Sequence, residues 1–175
     1  MAGVSITGLN NAITDIVPLW RFELVLPTLQ GINGSLTPPD QAFAQKVSIG
    51  NQVITDEGEP IANWVKHFPT NSTVDNASIT MLESGGQNDH WSATEYWQGW
   101  MQLINSSDGN FGLPVNYWQP ITVYSLDISG NRIAQFSMIE AWPINIGTID
   151  FDGEASQAFY LSISIVCTRV DMQRL

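Results

Sequence analysis

Basic residues are scarce in this chain: six Lys and Arg stand against 17 Asp and Glu, for a net charge of −11 over 175 residues. The six, Arg21, Lys46, Lys66, Arg132, Arg169 and Arg174, are scattered. Binding that works by neutralising phosphates needs Lys and Arg in clusters, so that mode of nucleic-acid recognition is excluded. The acidic excess raises solubility and repels other polyanions; on composition alone a plain solvated face is the more common reason for it. Cysteine is limited to Cys167, which cannot close an internal disulfide. It falls on the apolar face of a strand, where a buried, inert thiol is expected rather than a nucleophile or ligand. The only histidines, His67 and His90, have no zinc-like spacing with Cys or with each other. Long hydrophobic runs are missing too: no stretch reaches the length of a bilayer span. Met1 to Asn11 lacks the basic start and continuous apolar run of a signal peptide. The expectation is a chain made in the cytoplasm, without a membrane partner, in which the Asn-x-Ser/Thr matches at Asn33, Asn71, Asn76 and Asn105 are chance.

Catalytic patterns are equally thin. There is no Gly-x-Ser-x-Gly elbow and no Walker-type loop with Lys. Ser84-Gly85-Gly86 lies too far from the helix start at Ser92 to present helix N–H groups to a phosphate. Asp150 and Asp152 fall on one face of a short strand and could be read as paired carboxylates for glycoside cleavage, though acidic pairs on exposed strand faces are common. No catalytic, cofactor-binding or metal-ligating residue is assigned, and no enzymatic activity is expected.

What the chain has instead is frequent strand patterns separated by turn signals. Trp20, Phe22, Leu24 and Leu26 alternate with Leu19, Arg21, Glu23 and Val25 until Pro27 stops the strand. Thr28 to Gln41, with Gly31, Asn33-Gly34 and Pro38-Pro39, reads as a loop. Phe43 to Ile49 is a strand ended by Gly50-Asn51. Thr55 to Pro60 carries Asp56, Glu57 and Glu59 around Gly58 and reads as an exposed acidic loop. Ile61 to Phe68 and Val74 to Leu82 follow as strands, divided by Pro69 to Thr73. Ser92-Ala93-Thr94-Glu95 has the form of a capping box. Ala93, Trp97, Trp100, Met101 and Ile104 then share one stripe at helical spacing, which predicts a helix over about 93–105 with its Trp face on the sheet. Such a stripe could serve as a sugar-stacking platform, but at helical spacing it is more often core. After a polar loop from Ser106 to Gly112, Ile121 to Asp127 and Arg132 to Ala141 pair across Ser129-Gly130-Asn131.

Near the C-terminus Trp142-Pro143 is expected to end a strand, because Pro offers no N–H to a ladder, and Asn145 and Gly147 to turn the corner. A short strand follows, with Thr148, Asp150 and Asp152 on one face and Ile149 and Phe151 on the other. Phe159, Leu161, Ile163, Ile165 and Cys167 then alternate with Tyr160, Ser162, Ser164, Val166 and Thr168. No repeat or linker interrupts the pattern. The fold class is mainly β, a small antiparallel β barrel or sandwich with one flanking α-helix (about 93–105), in a single domain over residues 1–175.

The run Ala141-Trp142-Pro143-Ile144-Asn145-Ile146-Gly147-Thr148-Ile149-Asp150-Phe151-Asp152 and the strand after it resemble the C-terminal signature of tail tube proteins from contractile-tailed bacteriophages, relatives of the type VI secretion tube subunit. The order of elements is similar too: a first strand on Leu19-Trp20-Arg21-Phe22-Glu23-Leu24, a helix after Val74 to Leu82, the hairpin around Gly130, and the Trp142-Pro143 to Val170 ending. The resemblance implies rings of six copies, their sheets joined into one inner barrel and the rings stacked into a hollow tube. It implies as partners the tail sheath protein, a baseplate initiator, a tail terminator and a tape measure protein in the lumen, with DNA passing unbound, in a virion tail assembled in the host cytoplasm. On that basis Asp56, Glu57 and Glu59 are candidate inter-ring contacts, and Asp150 and Asp152 candidate lumen-facing carboxylates. The loop at 28–41 is longer than the family pattern, and the tail from Asp171 to Leu175 has no counterpart in it. Alternatives are a secretion-system tube subunit, a β-sandwich carbohydrate-binding module using Trp91, Trp97, Trp100 and Trp118, and a hydrolase centred on Asp150 and Asp152.

Overall fold

Alternation along the chain sorts side chains into a dry row and a wet row, and the strands pair so that the dry rows meet. The computed structural model describes residues 21–31, 34–40, 43–61, 64–83, 91–106, 109–148 and 158–175. In chain order the elements are β1 (Phe22–Val25), β2 (Leu29–Gly31), β3 (Gly34–Leu36), β4 (Ala44–Ser48), β5 (Gln52–Ile61), β6 (Trp64–Val74), β7 (Ala77–Leu82), helix α1 (Ser92–Ile104), the single turn α2 (Pro114–Tyr117), β8 (Gln119–Leu126), β9 (Arg132–Ile146), β10 (Tyr160–Val166) and β11 (Arg169–Arg174). The main sheet is antiparallel in the order β1-β8-β9-β10-β7-β4, with β11 also on β9. The mainly β architecture with a flanking helix agrees with the sequence.

Strand β9 is 15 residues long because it serves two halves of this sheet. Its first part pairs with β8 and β11, the latter from Arg174↔Ala134 to Arg169↔Ile139, and its last part pairs with β10 from Val166↔Trp142 to Ile163↔Ile146. The change of partner falls at Glu140, whose φ of 53° is left-handed. Thr168, between β10 and β11, holds this corner: its N–H donates to the Ile139 carbonyl at 3.0 Å and its hydroxyl to Glu140 Oε2 at 2.6 Å. Trp142-Pro143 therefore does not end the strand. Pro143 is buried opposite Ile165 at a bulge that leaves Ile144 as the extra residue, so its missing N–H falls where the ladder is already irregular.

The core rows are those the alternation marks. Leu24, Ile121, Val123 and Met138 come from β1, β8 and β9, Ala77, Ile79 and Met81 from β7, and Leu161, Ile163 and Ile165 from β10, all buried. Cys167 joins them, and burial pushes its thiol pKa up. Helix α1 covers this core with Ala93, Tyr96, Trp97, Trp100 and Ile104. The indoles of Trp97 and Trp100 stack at 5.4 Å, and Tyr96 meets both edge-on. Each buried polar head has a partner: Tyr96 Oη donates to the Pro27 carbonyl at 2.7 Å, Trp100 Nε1 to the Tyr117 carbonyl at 2.9 Å, and Trp97 Nε1 to Met81 Sδ at 3.5 Å.

Several local expectations are corrected. The capping box does not form: Trp91 is the N-cap, in left-handed geometry, and no side chain of the Ser92 box closes it. The carboxylate of Glu83 caps the helix instead, accepting from Ala93 N (3.1 Å), Thr94 N (2.9 Å) and Thr94 Oγ1 (2.6 Å). An anion at this end also meets the positive pole of the helix. The 28–41 loop contains the hairpin β2–β3, which buries Leu29 and sets Leu36 against Gly99, where a Cβ would come within 2.7 Å of the Leu36 side chain. Thr55 to Pro60 belongs to a strand rather than a loop, and β6 continues through Pro69 with the register shifted at Thr70 beside it. The tail from Asp171 lies in β11, and Leu175 N closes it on the Ile133 carbonyl at 3.1 Å.

The two cap assignments differ in outcome. Glu83→Ala is expected to cost about 1–2 kcal/mol in urea unfolding, the usual value of a lost cap, while Ser92→Ala is nearly neutral. The reverse ranking would restore the capping box.

Candidate assembly surfaces

Among the described residues, strands β5 and β6 pair only with each other, from Gln52↔Val74 to Ile61↔Trp64. At the rise of an antiparallel strand this ladder makes an arm about 30 Å long. A two-stranded hairpin has no core of its own and is marginal in isolation. Asp56, Glu57 and Glu59 all lie on β5 and are exposed. The register divides them. Glu57 opposite Phe68 and Glu59 opposite Lys66 share a face with Trp64; Asp56 is on the other, where its Oδ2 is 2.5 Å from Nδ1 of His67. Lys66 Nζ sits 5.1 Å over the Phe68 ring. Among these charges are exposed apolar side chains: Trp64 is 79% exposed, Ile54 64% and Val65 60%. Trp64 and Phe68 lie on one face of the arm and Ile54 and Val65 on the other, so each face carries exposed apolar side chains. Sequence reasoning found the carboxylates and missed the apolar half, because Pro60 and Pro69 read as strand breakers. In an arm whose outer edges pair with nothing, a missing N–H is tolerated.

The second surface is the set of sheet edges. Among the described residues β1 and β4 end the strand order, and β11 pairs only with β9. Arg132 reaches from β9 across the Tyr124 ring, 4.0 Å away, to grip both carboxylate oxygens of Glu23 on β1 at 2.6 and 2.7 Å. The hydrogen bonds from Arg132, and then its charge, hold the Glu23 carboxyl below the usual carboxylate range. Arg21, just before β1, donates to the Ile128 carbonyl in the β8–β9 turn. Lys46 puts an exposed charge on β4, a common guard against unwanted strand addition.

The third is an apolar groove of about 430 Å³ where the core face of β1, β8, β9 and β11 runs out beyond the core and faces the end of β4. Phe22, Val47, Ile49, Val123, Phe136 and Met172 form its walls, with Arg21 among the lining residues. The pairings Leu24↔Val123, Val123↔Phe136 and Phe136↔Met172 make one row from the dry interior to the rim, where Met172 is 68% exposed.

The other sequence candidates fare differently. Trp97 and Trp100 are fully buried and Trp91 is half-buried against Phe159, ring centroids 5.7 Å apart, so of the four only Trp118 is exposed and they form no sugar-stacking platform. Asp150 and Asp152 lie outside the described residues, as does His90. Among the described residues no group of three or more His, Cys, Asp or Glu could hold a metal, and no helix is long and apolar enough to cross a membrane.

No protein-family model matches the chain, and no curated protein matches it in sequence. Solved structures do. A chain of the anti-feeding prophage cap, the tube terminating cap, superimposes with a TM-score of 0.64 at 14% identity, over 91% of this chain and 92% of that one. A chain of the sheath/tube terminator of PVC, an extracellular contractile injection system, gives 0.62 at 16% identity, over 90% and 96%. A chain from the PVC sheath-tube complex in its extended state gives 0.60 at 17% identity, over 99% and 100%. At these identities the likeness is one of fold: the chain is built like subunits of contractile, tail-like assemblies.

The edge clamp has a pH signature. Because the folded state lowers the Glu23 pKa, the clamp contributes fully above the unfolded carboxylate range and is lost as pH falls through the lowered value. Glu23→Gln is expected to lower the melting temperature slightly at neutral pH and to flatten its decline on acidification. Parallel melting curves for the two proteins from pH 7 to 3 would show that the clamp contributes nothing.

Proposed function

We propose that this chain is a structural subunit of a contractile-tail tube, six copies closing into a ring and rings stacking into a hollow conduit. One observation carries the reading: the chain superimposes over 99% of its length on the whole of a chain from a sheath-tube complex, and it carries a long exposed arm. A tube needs lateral contacts that close a ring and axial contacts that join rings. The edges of β1, β4 and β11 suit the first, since an unpaired edge templates a strand and ring closure removes it. The arm suits the second, with Asp56, Glu57 and Glu59 as inter-ring contacts.

The chain acts as one tube domain, residues 1–175, with no catalytic part. The sheath packs outside it, the baseplate initiator and the terminator bound its ends, and a tape measure protein fills the lumen before DNA passes through in a phage virion tail. Asp150 and Asp152 face that lumen and give about twelve carboxylates per ring, a wall that repels phosphates. The same ring serves an extracellular or secretion-type injection system, with a different cargo. A second reading rests on the two superimposing terminator chains, at TM-scores of 0.64 and 0.62: a subunit that forms one ring and ends the tube.

Negative-stain microscopy with mass measurement separates these. Hexameric rings and stacked tubes are expected, and replacing Asp56 to Pro69 by a short Gly-Ser turn leaves rings but stops stacking. Rings of the unaltered protein that never stack would assign the terminator role. A monomer at every concentration, even beside a tail initiator complex, would sink both readings.

The lumen assignment has its own test. Asp150→Lys with Asp152→Lys leaves tubes intact and slows genome ejection, most at low salt where screening is weakest. Unchanged ejection from intact tubes would reject it, and failure to assemble would place these residues at a subunit interface.

A further inference from the structure

We infer that the apolar groove is the receptor for the arm of a second copy of this chain, an inference that rests on the arm joining rings. The two surfaces match in chemistry. One face of the arm offers Trp64 and Phe68, both exposed, together with the carboxylates of Glu57 and Glu59 around Lys66. The groove offers uncovered apolar walls at Phe22, Val47, Ile49, Phe136 and Met172. Its charge is of the opposite sign: Arg174, paired with Ala134 of the groove wall, shares the groove face with Met172, while the guanidinium of Arg21 turns to the Ile128 carbonyl. Strand alternation sends the neighbouring acids, Glu23 on β1 and Asp171 on β11, to the opposite face.

The occupant comes from another molecule because of where each arm is rooted. Ile49, which lines the groove, lies three residues before the arm begins at Gln52, and Asp75 N bonds Asn51 O at 2.9 Å to close the arm's base. The paired ladder then carries the tip about 30 Å from its own root. Its tip cannot turn back into its own groove without breaking the ladder. Arm and groove are different surfaces, so the contact is heterologous; between rings related by translation along the tube axis, such a contact repeats from ring to ring without closing. That is the symmetry stacking requires, whereas a self-complementary contact would stop at pairs.

The test mixes two proteins that each carry one added cysteine, Glu59→Cys and Met172→Cys, so that a disulfide between the added thiols joins two chains. Cys167 stays in place because it is buried. Since a disulfide needs Cα atoms within about 7 Å, mild oxidation is expected to give the mixed dimer in about tenfold higher yield than Glu59→Cys with Val115→Cys, an exposed control on α2. In parallel, Met172→Glu and Arg174→Glu lower stacking strongly without changing the melting temperature, and Glu57→Lys with Glu59→Lys restores stacking to Arg174→Glu. Cross-linking no better than the control, in a protein whose stacking is lost when the arm is shortened, would overturn the docking site and leave the inter-ring role of the arm standing. Stacking that survives arm shortening would overturn that role and this inference with it. If deleting residues 1–19 reproduces the Met172→Glu defect and arm shortening does not, the groove belongs to the chain's own N-terminal segment.

Discussion

One strand supplies hydrogen-bond partners to three others, and the rest of the molecule depends on its doing so. Along one edge β9 must satisfy first β11 and then β10, while the other edge is occupied by β8. A straight strand would keep all its side chains on two flat faces and leave the sheet open. The left-handed residue Glu140 bends it, at a cost of roughly 1–2 kcal/mol for a residue with a Cβ. The two Thr168 bonds at that point offset the cost by satisfying both the backbone and the bent residue's own carboxylate. The bend turns the row through Ile121 and Met138 toward the row through Ile79 and Ile163, all four fully buried. The strand that makes the core also fixes where the core face runs out, and so where the groove opens.

The helix completes this arrangement by direction as much as by area. Trp97 and Trp100 bring large apolar surface to the core, but apolar contact alone does not fix an angle. The three polar heads do: Tyr96 ties α1 to the end of the first strand segment at Pro27, Trp100 ties it to α2, and Trp97 ties it to β7. Glu83 holds the helix start from the loop after β7. With the helix pinned at both ends, the sheet's opposite reaches are left to the arm, the edges and the groove, which do not compete with it for surface.

What the sequence revealed follows the range of the forces involved. Alternation in Leu161, Ile163, Ile165 and Cys167, and the stripe through Ala93, Trp97, Trp100 and Ile104, depend on which side of one element is dry, and both are local enough to read. The failures all involve a distant partner. Ser92 has the right letters for a cap, yet Glu83, out of register with any local motif, wins because two oxygens satisfy three donors. Pro69 and Pro143 look like stops until the ladder around each is known to be unpaired outside or bulged. Residues 171–175 look like a tail because only β9, some 35 residues earlier by the pairing of Asp171 with Ser137, makes them a strand. The carboxylates of the arm could be located from composition, while the groove could not, since its walls come from five strands.

The arm also bears on how the free chain behaves in concentrated solution. A hairpin with two open edges is the kind of element that polymerises into cross-β fibres. Asp56, Glu57 and Glu59 sit so close together that a second, identical arm added in parallel register would bring three like charges against three, each pair repelling at the spacing of adjacent strands. Arms therefore shun one another while remaining attractive to a surface of opposite charge. The same acids work against ordered stacking of arms in a crowded pool of free chains.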